Sequence, residues 1–210
     1  MIESFINDTP VATIIFIFTI VTSIYAFSNA DVYGKFMLHP YSVSRGSRLY
    51  SVITSGLIHK DWTHLLVNML SYYFFAFTLE KTFVSLSSWG HVQFGVLYIL
   101  SIILSDITSI FKHKEDFWFN SLGASGAVCA VVFSYILFYP MNKMMIFPIP
   151  IPIPAVIYGF LFLGYCWYAA RNSRDAINHD AHFYGALTGV FITIVYYPDI
   201  AAYFVRQVIG

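Results

Sequence analysis

The sequence predicts an all-α, polytopic membrane protein folded as a bundle of six transmembrane helices. Of the 210 residues, 58% are hydrophobic and only 10% are charged, whereas a soluble domain averages about 45–50% apolar and about 25% charged residues. The apolar runs are unbroken rather than alternating, which favours helices over a transmembrane β-barrel. Six of these runs have about the length that a bilayer requires.

We expect one membrane domain over residues 1–210, and residues typical of helix ends mark the limits of its helices. Pro10 opens the first apolar run, Asp61 is expected to cap the second helix, and Pro140 stops the fourth. The first ten residues contain no Lys or Arg, so the first run is interpreted as a retained helix rather than a signal peptide. The six spans are expected at residues 10–27, 62–81, 91–111, 121–139, 155–170 and 181–198.

Three connections between the spans have distinct compositions. Residues 28–60 are apolar and aromatic for a loop, so part of this segment is expected to lie in the membrane interface. Pro and Ile alternate over residues 147–154, which excludes a helix and predicts an extended, stiff connector. Residues 171–180 are polar, and Asp180 is expected to cap the sixth helix.

Charge and cysteine content exclude several classes of function. The formal net charge is zero and no basic patch is present, so no nucleic-acid partner is expected. Cys129 and Cys166 both fall inside apolar runs, where small buried side chains are expected rather than a disulfide. No cofactor and no metal are expected, and the surrounding lipid is the general partner.

A lone serine lies among very small residues where the fourth span opens. Ser125 is flanked by Gly123, Ala124 and Gly126, which would let another backbone or a substrate strand approach its hydroxyl. The alternative interpretation is a small-residue packing face, which is common in membrane helices.

A lone histidine lies near the start of the sixth span. His182 precedes Gly185 and Gly189 by three and seven residues, so all three share one helical face. Gly185 and Gly189 are four residues apart, a spacing that allows close helix approach. Ionisable residues inside membranes mark functional sites. Ser125 and His182 could therefore meet as a nucleophile and its general base.

Hydrogen-bond donors for an oxyanion are expected on the second span. His64 and Asn68 are four residues apart and share one helical face. They are candidates for an oxyanion site, or alternatively a polar pair that joins helices. No acidic residue is placed to orient His182, since Glu80 lies about 18 Å along the helix from Asn68. The sequence supports a dyad rather than a triad.

In order, these motifs resemble those of the rhomboid family of intramembrane serine proteases, in its minimal six-helix bacterial form. The matching strings lie at residues 59–68, 123–126 and 181–185, on the second, fourth and sixth spans. The resemblance implies that Ser125 is the nucleophile and His182 the base. It also implies that His64, Asn68 and the Ser125 backbone N–H hold the oxyanion.

The resemblance also implies roles outside the reacting groups. Glu80 matches a structural acidic residue, and residues 171–180 with the fifth helix match a cap and lateral gate. Two positions depart from the family pattern. Tyr50-Ser51 replaces a Trp-Arg pair that anchors the first loop, and Cys129 replaces a Tyr that stacks on the catalytic histidine.

The resemblance further implies a bacterial inner-membrane protein that cleaves transmembrane segments of other membrane proteins through an acyl-enzyme. The family orientation, with a cytoplasmic N-terminus, conflicts with the positive-inside rule. It leaves three basic residues inside (Lys81, Lys143, Arg206) and eight outside (Lys35, Arg45, Arg48, Lys60, Lys112, Lys114, Arg171, Arg174). The alternative functions are a non-proteolytic relative that binds membrane helices and a metal or haem protein using His59, His64 and His182.

Overall fold

A computed structural model describes residues 6–146, 149–173, 175 and 177–210 of the chain. Within this part, six helices have 14 residues or more: α1 (Pro10–Phe27), α5 (Trp62–Leu86), α6 (Gly90–Lys112), α7 (Ser125–Phe138), α8 (Ala155–Asn172) and α9 (His179–Tyr196). Shorter helices are α2 (Ala30–Phe36), α3 (Pro40–Val43), α4 (Ser51–Thr54) and α10 (Ile200–Ile209), with a 3₁₀ turn at Ser55–Leu57.

Helix α7 forms the centre of the bundle. All of its residues except Ser125 and Tyr135 are buried, and it packs against α5, α6 and α9. Helix α1 packs on α5 and α6, while α8 contacts α9 and, less extensively, α7. An all-round apolar helix such as α7 is stable only where other helices surround it.

Within the described residues, two helices, α1 and α6, are long and apolar enough to cross a membrane. A third span results if α9 and α10, which meet at an angle of 112°, are taken together. The chain is therefore a mainly helical, integral membrane protein. Helix α5 is longer than expected, because it continues to Leu86 instead of ending near residue 81.

Of the two helix caps predicted at acidic residues, the one for α5 is present and the one for α9 is not. The Asp61 carboxylate accepts a hydrogen bond from the His64 backbone N–H at 2.8 Å, so the predicted cap of α5 is confirmed. Asp180 is not the cap of α9, because Asn178 accepts from the Ala181 N–H and the helix begins one residue before Asp180. Asp180 instead pairs with Lys112 at 2.8 Å.

The segment before α5 folds into short helices that an arginine joins. The Arg48 guanidinium donates to the carbonyls of Gly34, Lys35 and Met37 at 2.6, 2.9 and 3.1 Å. Two backbone hydrogen bonds then connect Leu38 to Ser121, just ahead of α7. Arg48 thus supplies an anchor for a loop in which Tyr50-Ser51 replaces the Trp-Arg pair.

The proline-rich segment forms one strand of a hairpin. Strand β1 (Lys143–Ile146) pairs antiparallel with β2 (Ile149–Pro154), and residues 147 and 148 of the predicted connector lie outside the described residues. An extended backbone is what alternating prolines favour, and β2 leads directly into α8.

A buried carboxylate fastens α1 to the bundle. Glu80 is fully buried, and its oxygens accept from the backbone N–H groups of Val11 and Ala12 at 3.2 and 2.7 Å. The His91 ring lies 2.6 Å away. Glu80 therefore satisfies the N-terminus of α1, where helix N–H groups have no partner within the helix.

Candidate active site

Ser125 is the first residue of α7, and the three residues before it are held outside the helix. The expected span began at residue 121, but Ser121 pairs with Leu38 and Gly123 has a φ of +124°, so the helix begins later. The Gly123 N–H donates to the Ser55 carbonyl at 2.9 Å. These contacts fix the backbone from which the Ser125 hydroxyl projects.

His59 contacts the same segment from the loop before α5. Its Nε2 accepts from the Ala124 N–H at 3.4 Å, and its Nδ1 lies 2.9 Å from the Ser23 hydroxyl. The ring is fully buried, and burial lowers the pKa of His59 to about 3. The neutral ring can therefore accept at Nε2 and donate at Nδ1.

His64 and Asn68 lie on the first two turns of α5. The His64 Nδ1 accepts from the Lys60 N–H at 3.4 Å, which leaves Nε2 as the protonated nitrogen. The ring packs against Gly123, where a Cβ atom would come within 2.6 Å of His64 Cε1. Asn68 donates one amide hydrogen to the His64 carbonyl at 2.9 Å and has a second to offer.

His182 is brought to the level of Ser125 by close contact between α7 and α9. A Cβ atom on Gly185 would collide with the Gly126 carbonyl, and one on Gly189 would collide with the Ala130 carbonyl. The two helices run in the same direction at this contact, because position 126 faces 185 and position 130 faces 189. His182 lies one turn before Gly185, beside the start of α7.

A phenylalanine supports the His182 ring where Cys129 replaces the expected tyrosine. The Phe162 ring on α8 stacks on His182 with centroids 6.3 Å apart and planes inclined by 26°. Tyr158 in turn stacks on Phe162 at 5.8 Å. The support therefore comes from the neighbouring helix rather than from α7 itself.

One cavity of about 1050 Å³ joins these groups. It is lined by Ser125, His182, His64 and Asn68, among other residues. In the described part of the chain, Ser125 and His182 make no hydrogen bond to each other, and no carboxylate contacts His182. Catalytic hydrogen bonds are often long in ligand-free enzymes and tighten when substrate is bound.

Two further residues with metal-ligating side chains lie near His182. Cys166 on α8 and His179 on α9 each offer a ligand atom, and with one from His182 these atoms lie within 4.8 Å of one another. The spacing of His179 and His182 places both on one face of a helix, whereas nothing in the α8 sequence indicates that Cys166 faces them. The group shares only His182 with the set of His59, His64 and His182 that the sequence offers for a metal.

Comparisons with known proteins identify the family of the chain. Residues 46–199 match the rhomboid domain. The chain is 28% identical to RHOMBOID-like protein 12, mitochondrial, of Arabidopsis thaliana, over 72% of this chain and 49% of the relative. It is 30% identical to Rhomboid protein 1, mitochondrial, of Saccharomyces cerevisiae, over 67% and 40% of the two chains.

A third relative is Rhomboid-like protein 16, chloroplastic, of Arabidopsis thaliana, which is 30% identical over 50% of this chain and 36% of its own. The chain thus spans less than half of the length of the curated relatives that it matches. The domain match covers most of the chain and includes both Ser125 and His182. The chain belongs to the rhomboid family.

Proposed function

We propose that the protein is an intramembrane serine endopeptidase that cleaves transmembrane segments of other membrane proteins. The observation that carries the proposal is the cavity shared by Ser125, His182, His64 and Asn68. These residues come from three helices that are distant in sequence, and glycine contacts between α7 and α9 hold the serine and histidine at one level. A packing role alone needs no convergence of a hydroxyl, two imidazoles and an amide on one cavity.

In the proposed mechanism, the Ser125 hydroxyl attacks the scissile carbonyl while His182 takes its proton. His182 then protonates the leaving amine, and an acyl-enzyme forms. His182 activates a water molecule that hydrolyses the ester and restores the Ser125 hydroxyl. No carboxylate is needed to hold the ring, because stacking on Phe162 and the α9 backbone already restrict it.

The oxyanion would be held by hydrogen-bond donors that bind it more strongly than they bind the carbonyl of the uncleaved substrate. His64 carries its proton on Nε2 because Nδ1 accepts from the Lys60 N–H, and this Nε2–H makes no hydrogen bond to a described residue. Asn68 has one amide hydrogen beyond the bond to the His64 carbonyl, and the Ser125 backbone N–H lies at the start of a helix. Losing one such donor typically lowers kcat by about 10²- to 10³-fold.

The short length of α7 supports cleavage inside the membrane. Its 14 residues rise about 21 Å, and the hydrocarbon core is about 30 Å thick. If the C-terminal end of α7 lies at one membrane face, Ser125 would lie below the other face. Substrates should carry Gly, Pro or small residues near the cut, because a stable helix hides its carbonyls in its own hydrogen bonds.

The membrane topology belongs to the same proposal. We propose that α1, α5, α6, α7, α8 and α9 all cross the bilayer as one domain, with the active site facing outward. The bacterial inner membrane remains a prediction from the minimal six-helix form. The relatives carry mitochondrial and chloroplastic names and give that compartment no support.

A non-proteolytic helix-binding protein is the second candidate. One observation favours it, namely that Ser125 and His182 make no direct hydrogen bond in the described part of the chain. Labelling with a serine-directed phosphonate separates the two functions, because only an activated serine forms the covalent adduct.

The test is cleavage of a single-span reporter by the purified protein in liposomes. We expect wild type to cleave, Ser125→Ala and His182→Ala to lose cleavage, and Ser85→Ala to retain it. Ser85 is a matched control because it is exposed near the far end of α5, and its hydroxyl donates to the Thr82 carbonyl of the same helix. Full activity of Ser125→Ala would overturn the serine mechanism.

A further inference from the structure

We propose that Cys166, His179 and His182 form a zinc site whose occupancy withdraws His182 from catalysis, an inference that rests on the proposed function. One ligand atom from each of the three residues lies within 4.8 Å of the others. The site lies between α8 and α9, on the side of His182 where Phe162 and Cys166 face it. Among the described residues, these three side chains are close enough together to hold a metal ion.

His179 has a buried ring nitrogen that is available to a metal ion. The residue is 4% exposed, and its Nδ1 has no hydrogen-bond partner among the described residues. Leaving a buried polar atom unpaired costs about 1–3 kcal/mol, so an unpaired nitrogen at this position calls for a ligand. A Zn²⁺ ion would provide that partner.

The other ring nitrogen of His179 is held as metal ligands usually are. His179 Nε2 lies 3.1 and 3.2 Å from the two carboxylate oxygens of Asp175. A carboxylate on the far nitrogen fixes the tautomer and the ring orientation, and makes the near nitrogen a better ligand. Tyr165 packs edge-on against the same ring at 5.4 Å, which restricts it further.

Cys166 selects zinc over hard cations. It is a free, fully buried thiol, and a thiolate with two imidazoles is a ligand set typical of zinc. When the metal binds, the thiol proton leaves to solvent and the sulfur lone pair forms the bond. The Cys166 thiolate and the Asp175 carboxylate then balance the two positive charges of the ion.

The geometry needs only small side-chain movements. Ligand atoms around tetrahedral zinc are about 3.5 Å apart at normal bond lengths, so each pair must close by no more than about 1.3 Å from the 4.8 Å limit. The large cavity is lined by Asp175, His179 and His182, which gives the ion a route. A fourth position stays open for water.

Occupancy would stop catalysis in two ways. Zinc binds the lone pair that His182 needs to take the Ser125 proton. The ion also ties α8, through Cys166, to α9, through His179 and His182. If α8 moves to admit a substrate helix, the same bond holds it closed.

The first experiment measures binding without using activity. The full-length protein in detergent is titrated with Co²⁺ as a zinc probe, and the thiolate-to-cobalt absorption band is followed. We expect one ion per chain in wild type and in Ser125→Ala, displacement by Zn²⁺, and no band in Cys166→Ala. Cys129→Ala is the matched control, since Cys129 is also a free, buried cysteine but is not one of the three ligands.

The second experiment measures inhibition of reporter cleavage by Zn²⁺, with each variant normalised to its own uninhibited rate. We expect Cys166→Ala to raise the half-inhibiting zinc concentration by at least about 100-fold. Asp175→Asn should raise it by about 10- to 100-fold, the range for lost outer-shell partners. Cys129→Ala should leave it unchanged.

The outcomes separate this proposal from the proposed function. Absence of a thiolate–cobalt band in wild type overturns the zinc site, whatever the activity. A band that survives in Cys166→Ala overturns the ligand assignment. A stoichiometric band in a protein that never cleaves supports the site and refutes the protease, while cleavage unaffected by bound zinc overturns the inhibitory role.

Discussion

The His182 ring gains its support from an aromatic side chain on another helix. Phe162 stacks on it from α8, whereas the α7 position one turn after the nucleophile is Cys129. An aromatic pair contributes about 0.5–1.5 kcal/mol beyond its buried area. The orientation of the proposed base therefore depends on how α8 packs.

Removing this ring should slow the reaction more than it weakens substrate binding. We predict that Phe162→Ala lowers kcat by about two- to tenfold with little change in KM, and that Phe162→Tyr restores it. The measurement is steady-state cleavage of the reporter in detergent. Phe160→Ala on the same helix is the control, because Phe160 is 71% exposed; an equal loss there would remove the stacking argument.

His59 makes the folded state sensitive to acid. Its pKa is about 3 in the folded protein because burial, and then the neighbouring His64, disfavour the charged ring, whereas an unfolded histidine titrates near about 6.5. The unfolded state therefore binds the extra proton first. The stability from the neutral ring is complete above pH 6.5 and declines as the pH falls towards 3.

This linkage predicts a difference in slope between two proteins. The Tm of wild type should fall from pH 7 to pH 4, and the Tm of His59→Gln should fall less over the same range. Thermal unfolding in detergent at four or five pH values gives both slopes. Parallel lines would show that another group is responsible for the acid sensitivity.

At the scale of the elements, the contact between α7 and α9 depends on glycine. Gly189 touches the Ala130 backbone so closely that a methyl group has no room, whereas Gly164 on α8 has nothing within 4 Å of its missing Cβ. The two glycines therefore predict opposite responses to the same substitution.

We predict that Gly189→Ala lowers the free energy of unfolding by about 1–3 kcal/mol, as overpacking does, and also reduces cleavage. Gly164→Ala should raise it by about 0.5–1 kcal/mol through helix propensity. Both are measured by thermal or denaturant unfolding in detergent. A tolerated methyl at position 189 would mean that the two helices are further apart.

The sequence predicts this helix contact but not the contact between α8 and α9. Offsets of three and seven residues identify the face that His182 shares with Gly185 and Gly189. The aromatic residues of α8 surround the whole helix, so no periodicity indicates that Cys166 faces His179. The contacts of Arg48 could not be predicted from the sequence either. Its partners are backbone carbonyls, which every residue type carries.

At the scale of the whole molecule, Glu80 joins three helices at the end of the bundle opposite the candidate site. It receives hydrogen bonds from the N-terminus of α1 and contacts His91 on α6. The resemblance anticipated a structural acid here, but the identity of its partners required the tertiary structure.

We predict that Glu80→Ala lowers the free energy of unfolding by about 3–5 kcal/mol, the cost of breaking a buried charged network. Glu115→Ala should change it by less than about 1 kcal/mol, because the Glu115 side chain is 75% exposed and forms a surface ion pair with Arg45. The comparison is made by denaturant unfolding in one detergent. Similar losses in both variants would contradict the buried-network argument.

The burial of α7 has a consequence for how the bilayer acts on the protein. Nearly every side chain of α7 contacts protein, whereas α8 buries only Ala155, Gly159, Cys166 and Ala169. The helix that bears the hydroxyl therefore offers little surface to annular lipids. Since Phe162 on α8 stacks on His182, we expect a change in acyl-chain length or lateral pressure on α8 to reach the imidazole.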